Sequence, residues 1–279
     1  MQSPSPDRPA VSVIMNCLNG EKYLREAIDS VVAQTFPDWE IVFWDNASRD
    51  ASGAIAKSYG GRVRYFRSEV TYPLGQARNL AIAEARGRYL AILDCDDVWL
   101  PEKLERQVPL LERDPSMGLV FADCYFMDET GNLQGTFFRR VPPPPGDPCL
   151  ALLTGPNFTP GPTVVMRSDV VRKVGGFNPA FRYVESYELF LKLARVSRFA
   201  HLNEPLARYR IHSSNQAGAG HAGMTSEMMQ VIRQSTEQMN ELSPLARWAI
   251  GRRLLALRGK LVLQNMKAFF GPRRTSRPS

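Results

Sequence analysis

The chain has 279 residues, 44% of them hydrophobic, and a formal net charge of +7. That length and apolar content suit one large α/β domain with an appendage and argue against disorder. No run of eighteen apolar residues is present, so no transmembrane helix is expected. The Pro/Ser-rich first ten residues lack a leader's apolar core, and Cys17, Cys95, Cys124 and Cys149 lack zinc-ligand spacing, which leaves them as reduced thiols of a cytoplasmic protein.

From residue 11 onward, short apolar runs alternate with helical patterns. Val11-Ser12-Val13-Ile14-Met15 stops at Asn16. Tyr23, Leu24, Ala27, Ile28, Val31 and Val32 then mark one face of a helix. Ile41-Val42-Phe43-Trp44 stops at Asp45-Asn46, and Ser48-Arg49-Asp50 is expected to cap a helix running through Ile55 to Tyr59. Val63-Arg64-Tyr65-Phe66 stops at Arg67, and a third helix is expected from Leu80 to Ala85. Tyr89-Leu90-Ala91-Ile92-Leu93 ends in Asp94-Cys95-Asp96-Asp97. The order βαβαβαβ implies a parallel sheet with right-handed crossovers, whose carboxyl rim is where ligands bind. Asn16, Asp45 and Asp94 meet on that rim by topology. Three carboxylates there are electrostatically costly without a cation. Asp94 and Asp96, two apart in extended chain, point the same way. Two hard oxygen ligands suit Mg²⁺ or Mn²⁺, with a phosphate completing the shell. An acidic turn followed by a helix cap is the plain alternative.

Further along, a helix is expected over 101–113, with Pro101 in its first turn. A strand over 118–127 and a turn at Asp128-Glu129-Thr130-Gly131-Asn132 read as a hairpin returning through Phe137. Prolines make 141–148 an extended link without helix. A strand over 163–166, a short helix over 168–174 and a tight loop Gly175-Gly176-Phe177-Asn178 follow. Then come an amphipathic helix over 187–196, with Leu189, Phe190, Leu193 and Ala194 on one face, and a last strand over 206–211. The Gly/Ala-rich stretch 215–223 is expected to be mobile.

Four motifs in order carry a resemblance. Val11-Ser12-Val13-Ile14-Met15-Asn16-Cys17-Leu18-Asn19-Gly20, Asp45-Asn46-Ala47-Ser48-Arg49-Asp50, Leu74-Gly75-Gln76-Ala77-Arg78-Asn79 and Asp94-Cys95-Asp96-Asp97 resemble the opening strand and loop, the Asp-(Asp/Asn)-x-Ser-x-Asp turn, the arginine-bearing helix start and the DxD site of the family 2 glycosyltransferases. The match spans 11 to about 212. It implies the GT-A fold, a Rossmann-like, mostly parallel central sheet flanked by helices, here with a C-terminal helical appendage. The implied organisation is a disordered 1–10, a nucleotide-sugar-binding half 11–127, an acceptor-binding half 128–223 and a basic helical tail 224–279. The implied activity is metal-dependent, inverting transfer of a sugar from a nucleotide-diphospho-sugar, a UDP-sugar as first guess, to a hydroxyl of a sugar or lipid-linked sugar.

Site roles follow from the same resemblance. Cys17, Asn19, Asp45, Arg78 and Asp94 are implied as nucleotide contacts, Asp45 at the base and Asp94 at the ribose or the metal. Asp96 is the implied metal ligand. Arg208-Tyr209-Arg210-Ile211-His212 resembles the family's closing Tyr-Arg-x-His segment, which puts Arg210 at the diphosphate and His212 at the metal or the diphosphate. The family's Glu-Asp pair before the late helix reads Glu185-Ser186 here. Serine cannot accept a proton near neutral pH, so Glu185, with Glu188 as fallback, is the candidate base. Asn16 and Leu18 also depart from the family's Pro and Tyr, and Leu18 removes a stacking surface near the nucleobase.

The charge is uneven. Residues 1–244 hold 26 basic and 28 acidic groups, whereas nine cations and no carboxylate follow Glu241. Leu254, Leu255, Leu257, Leu261, Val262, Leu263, Met266, Phe269 and Phe270 interleave with those cations. This pattern suits either a peripheral contact with the anionic inner face of a membrane or a helix packed on its own domain or a second subunit. A nucleic-acid partner is not expected, because the body carries no basic excess. Two other readings stay open: a nucleotide-sugar-binding protein without transfer activity, which Ser186 favours, and a nucleotidyltransferase, for which Asn19-Gly20-Glu21-Lys22 is too sparse a phosphate loop.

Overall fold

Strand β1 (Val11–Cys17) is buried along its whole length, as a central strand covered on both faces must be. It pairs in parallel with β2 (Trp39–Asp45) on one side and β4 (Tyr89–Ile92) on the other, and β2 pairs in parallel with β3 (Val63–Arg67). Helices α1 (Glu21–Val32), α2 (Ser52–Ser58) and α3 (Leu74–Glu84) make the crossovers. A computed structural model describes residues 8–212, 222–239 and 241–270 of this chain.

The second half extends the same sheet. It contributes β5 (Val98–Trp99), α4 (Lys103–Arg113), β6 (Met117–Met127), β7 (Leu133–Thr136), α5 (Pro148–Thr154), β8 (Val165–Arg167), α6 (Ser168–Lys173), α7 (Glu185–Ala194) and β9 (Arg198–Arg210). The strand order is β3-β2-β1-β4-β8-β6-β9-β5, with β7 paired to β6. Strand β8 runs antiparallel to both β4 and β6, β6 and β9 are parallel, and β5 is antiparallel to β9. Alternate residues of β1 feed two cores. Val11, Val13, Met15 and Cys17 pack with Leu24, Ile28, Leu104 and Val108 of α1 and α4. Ile14 packs with Ala81, Leu152, Val171 and Phe190 of α3, α5, α6 and α7.

Several boundaries differ from the sequence reading. Helix α2 starts at Ser52: Asp50 Oδ1 accepts its N–H at 3.0 Å, while the Ser48 hydroxyl turns back to the β1–α1 loop instead. Helix α3 begins at Leu74, not Leu80, because its buried first turns present Gly75, Ala77 and Arg78, which carry no apolar stripe. Helix α4 begins at Lys103, leaving Pro101 in the preceding turn. The proline link ends at Pro148, which opens α5; Asp147 caps it by accepting the Cys149 N–H at 2.8 Å. Helix α7 starts at Glu185, two residues early, and β9 starts at Arg198, where its half-exposed pattern hid it. Of the expected mobile stretch, 215–221 lies outside the described residues, while Ala222 and Gly223 open α8.

Two helices follow. Helix α8 (Ala222–Glu237) and α9 (Pro244–Phe270) pack on each other, and α9 also packs on α5. Ala246 and Ile250 of α9 are buried, Thr225 donates to Gln264 at 2.9 Å, and Arg253 donates to the Leu152 carbonyl and, at 3.2 Å, to the Tyr187 hydroxyl. One face of the basic helix is therefore docked on its own domain. The opposite face exposes Leu245, Trp248, Leu255, Val262 and Leu263 among cations. No helix of the described residues is long and apolar enough to cross a membrane.

Lys103 stands out energetically. Its side chain is fully buried, its Nζ lies 4.1 Å from the Trp99 ring centre, and it has no hydrogen-bond partner. Burial drives its pKa well down. The unfolded chain therefore binds a proton that the fold releases, so stability rises with pH from the depressed value up to the ordinary 10.5. Lys103→Met is expected to stabilise the protein by on the order of 1–3 kcal/mol at pH 7. In urea titrations that advantage should shrink as pH approaches 10.5. A variant less stable than wild type at pH 7 would contradict this.

Candidate active site

The β1–α1 and β2–α2 loops are laced together at the sheet's carboxyl rim. Asn19 adopts a left-handed φ of 56°. Its backbone N–H donates to Ser48 Oγ at 3.0 Å, and its Oδ1 accepts from Arg49 N at 2.8 Å. Gly20 N donates to Ser52 Oγ, Glu21 N to Asp50 Oδ2, and Ala51 N back to Glu21 Oε2. Asp45 is fully buried. It accepts from the Tyr65 hydroxyl and Arg67 Nη1, both at 2.6 Å, and from Ser48 N at 2.7 Å. Burial alone would raise its pKa, but Tyr65, Ser48 and Arg67 hold it below the usual carboxylate value.

Beside these loops a cleft of about 730 Å³ opens, lined by Asn16, Arg78, Asp94, Asp96, Glu185, Ser186 and Tyr209, among others. Arg78, from α3, lies almost wholly buried at its floor. Its Nη2 donates to Asp94 Oδ1 at 2.6 Å; its Nη1 donates to Glu185 Oε1 at 2.9 Å and Ser186 Oγ at 3.0 Å. Burial opposes its charge, but Asp94 and Glu185 outweigh that and hold its pKa above the ordinary value. Ser186 completes the cluster by donating to Glu185 Oε1 at 3.2 Å. Asn79, one residue after Arg78, grips the Phe177 backbone by both its amide groups at 2.7 and 2.9 Å. That grip docks the loop carrying Gly175 and Gly176, whose φ of 81° and 64° suit glycine, against α3.

The acidic turn after β4 is held from the end of β9. Asp96 Oδ2 meets His212 Nε2 at 2.7 Å. Burial, then the charge of Asp94, pushes the Asp96 pKa up, and His212 offsets part of it. Asp97 is buried, accepts the Arg210 N–H at 2.9 Å through Oδ1, and leaves Oδ2 without a partner. Burial and the charges of Asp96 and Asp94 push its pKa well up. The Arg210 guanidinium donates to the Asp96 carbonyl at 2.9 Å, pairs with Glu26, and lies 4.2 Å from the Tyr23 ring centre.

The fold thus brings Arg78, Asp94, Asp96, Glu185 and His212 to one cleft and its edge. It does not bring all the sequence candidates there. Cys17 and Asp45, at the ends of β1 and β2, and Asn19, in the loop after β1, lie beside it, and Glu188 pairs with Lys192 at 3.1 Å. Three features escaped the sequence reading: Ser186 as a link between Arg78 and Glu185, the Asn79 grip, and the Glu26–Arg210 pair. The Asn16 amide is buried and lines the cleft, and neither its oxygen nor its nitrogen has a partner.

A divalent cation fits this chemistry. Carboxylates driven toward protonation by burial and by each other, with an orphaned Asp97 oxygen behind them, mark unmet demand for positive charge. Among the described residues no three His, Cys, Asp or Glu side chains form a closed ligand set. Asp96 and His212, 2.7 Å apart, are the oxygen and nitrogen donors that would suit such an ion.

A parallel sheet extended through antiparallel β8, with an acidic turn on its carboxyl rim, defines the nucleotide-diphospho-sugar transferase class of fold, GT-A. The chain superposes on S. aureus TarS (residues 1–349, in complex with UDP-GlcNAc) with a TM-score of 0.72 at 17% identity, covering 94% of this chain and 76% of that one. It superposes on the mannosyltransferase PcManGT of Pyrobaculum calidifontis, in complex with GDP-Man and Mn²⁺, with a TM-score of 0.66 at 15% identity, covering 97% and 78%. Residues 12–175 match the model of glycosyl transferase family 2, and the chain belongs to that family. It is 31% identical over 210 residues to an uncharacterized glycosyltransferase of Rickettsia typhi, covering 74% of this chain and 65% of that protein's length.

Proposed function

We propose that this family 2 member is a metal-dependent, inverting glycosyltransferase. It moves a sugar from a nucleotide-diphospho-sugar, a UDP-sugar as first choice, to a hydroxyl of a sugar or lipid-linked sugar acceptor in cell-surface polysaccharide or glycolipid synthesis. The observation that carries this reading is the buried Arg78, which ties Asp94 of the acidic turn to Glu185 of α7 across the cleft. It fixes a donor-side and an acceptor-side carboxylate in one frame. The donors in the TarS and PcManGT complexes, UDP-GlcNAc and GDP-Man, support a nucleotide-sugar ligand for the same fold.

In this mechanism Asp94 and the Asn16 amide meet donor hydroxyls, and the laced loops carrying Cys17, Asn19 and Asp45 border the nucleotide. Asp96 and His212 would hold Mn²⁺ or Mg²⁺. When bound, the ion supplies Lewis-acid neutralisation of the charge left on the departing diphosphate. Arg210 pins the turn that presents Asp96 and adds positive charge beside the diphosphate. Glu185 Oε1 is taken by Arg78 and Ser186, while Oε2 accepts no hydrogen bond within the described structure. Oε2 is the atom that takes the acceptor hydroxyl's proton. As that hydroxyl oxygen bonds to the anomeric carbon from the side opposite the diphosphate, the carbon–diphosphate bond breaks and configuration inverts.

The second reading, donor binding without transfer, is favoured by one observation: Ser186 occupies the expected base position, and Glu185 is ion-paired. Glu185→Gln separates the two. The transferase reading expects nucleoside diphosphate release to fall about 10²–10⁴-fold, with donor affinity kept. A panel of nucleotide-sugars with Mn²⁺ and candidate acceptors, scored by product release, tests the whole proposal. Donor binding with no turnover on any acceptor would establish the second reading.

The exposed face of α9 is proposed to lie peripherally on the anionic inner leaflet. Trp248→Glu is expected to weaken sedimentation with anionic vesicles about tenfold, which is roughly 1.4 kcal/mol. Equal binding by variant and wild type would remove the membrane contact.

A further inference from the structure

Two of the four cysteines meet beneath the acidic turn. The β1–β4 pairing runs from Val11 opposite Tyr89 to Ile14 opposite Ile92, and Leu93 N continues it by donating to the Ile14 carbonyl at 3.1 Å. Cys95 follows in the acidic turn, where Asp97 N donates to the Asp94 carbonyl at 3.2 Å. Both thiols converge on Gly20, where an added Cβ would stand 2.7 Å from Cys95 Sγ and 2.8 Å from Cys17 Sγ. Glycine is needed there for this close approach. Cys17 is buried, whereas Cys95 is half-buried and lines the cleft, so a small reagent entering the cleft meets Cys95. Cys149 is buried in the other core, whereas Cys124, also buried, shares the Cys17 core and lines the same cleft.

We propose that Cys17 and Cys95 form an oxidisable pair whose closure to a disulfide displaces the Asp94–Asp96 turn and weakens nucleotide binding. The oxidant is a low-molecular-weight disulfide. The Cys95 sulfur attacks it, releasing one thiol and forming a mixed disulfide; the Cys17 sulfur then attacks Cys95 and releases the second thiol. Two protons and two electrons pass from the protein to the reagent, which leaves as two thiols. Cys95 sits between Asp94 and Asp96, so drawing it toward β1 moves both carboxylates with its backbone. The Arg78 and His212 contacts that hold Asp94 and Asp96 are then strained.

The test treats the full chain with oxidised glutathione and reads intact mass, peptide map and UDP affinity in the presence of Mn²⁺. The expected result is loss of two hydrogen masses, a linked peptide containing Cys17 and Cys95, and UDP binding weakened about tenfold or more, all reversed by dithiothreitol. Cys17→Ser should stop at a glutathione adduct on Cys95, while Cys124→Ser should still cross-link. A stable glutathione adduct in wild type, a link involving Cys124 or Cys149, or unchanged UDP affinity in the cross-linked protein would overturn the proposal. If the reduced protein does not bind UDP, the donor reading fails separately, and the mass readout still decides whether the pair closes.

Discussion

Arg78→Ala is expected to cost about 3–5 kcal/mol of stability, the penalty for leaving a buried partner of an ion pair uncompensated. The loss falls mainly on Glu185, which is buried; Asp94 is 42% exposed at its side chain, and water takes over its half of the bridge. In a chain of this size each kcal/mol lowers Tm by roughly 2–4 °C. Arg78→Lys should recover only part of this, because a single ammonium cannot span Asp94, Glu185 and Ser186 with the fork that Arg78 uses. The double variant Arg78→Ala/Glu185→Gln should lose less than the sum of its parts, since removing the stranded carboxylate removes the penalty. Urea denaturation of the single and double variants measures the coupling. A cost below about 1 kcal/mol for Arg78→Ala would mean the bridge behaves as a solvated surface pair.

Asp96→Asn is expected to lower turnover about 10²–10³-fold, the usual scale for losing one electrostatic contribution at developing negative charge, made here through the ion that Asp96 would hold. Mn²⁺-dependent enhancement of UDP binding should disappear with it. The fold should survive. Asparagine keeps the shape of the side chain, the Arg210 bond to the residue 96 carbonyl is untouched, and one repulsive charge beside Asp94 and Asp97 is removed. An unchanged or higher Tm together with lost activity separates the chemical role from a structural one. Undiminished turnover would exclude Asp96 from the reaction.

The first four strands and the acidic turn were legible because their signal is local. Each run from Val11 to Leu93 is mostly apolar, ends at a polar residue and is separated from the next by one crossover, so parallel order follows from connection rules. Helix α3 was half legible: its inward face is Gly75, Ala77 and Arg78, and burial of a guanidinium leaves no apolar period to read. Helix α5 is hidden in the sequence because Pro148 continues the run of prolines before it, although proline suits a first helical turn. The first half of β9 was missed because it lies at half-exposed positions where alternation is weak.

Residue types and their order along the chain were enough to give the family, the fold class, the rim on which polar groups gather and the candidacy of Asp94, Asp96, Arg78, Glu185 and His212. Folding had to supply the partnerships. Arg78 reaches Glu185 across 107 positions and His212 reaches Asp96 across 116, and no periodicity records pairs that distant. Folding also assigned Asp45 to Arg67 and Tyr65, Glu188 to Lys192, and one face of α9 to its own domain. Local pattern fixes which way a strand or helix face points. The partner a buried charge finds depends on which distant element closes over it, because desolvation forces that charge to pair with whatever the packing brings within reach.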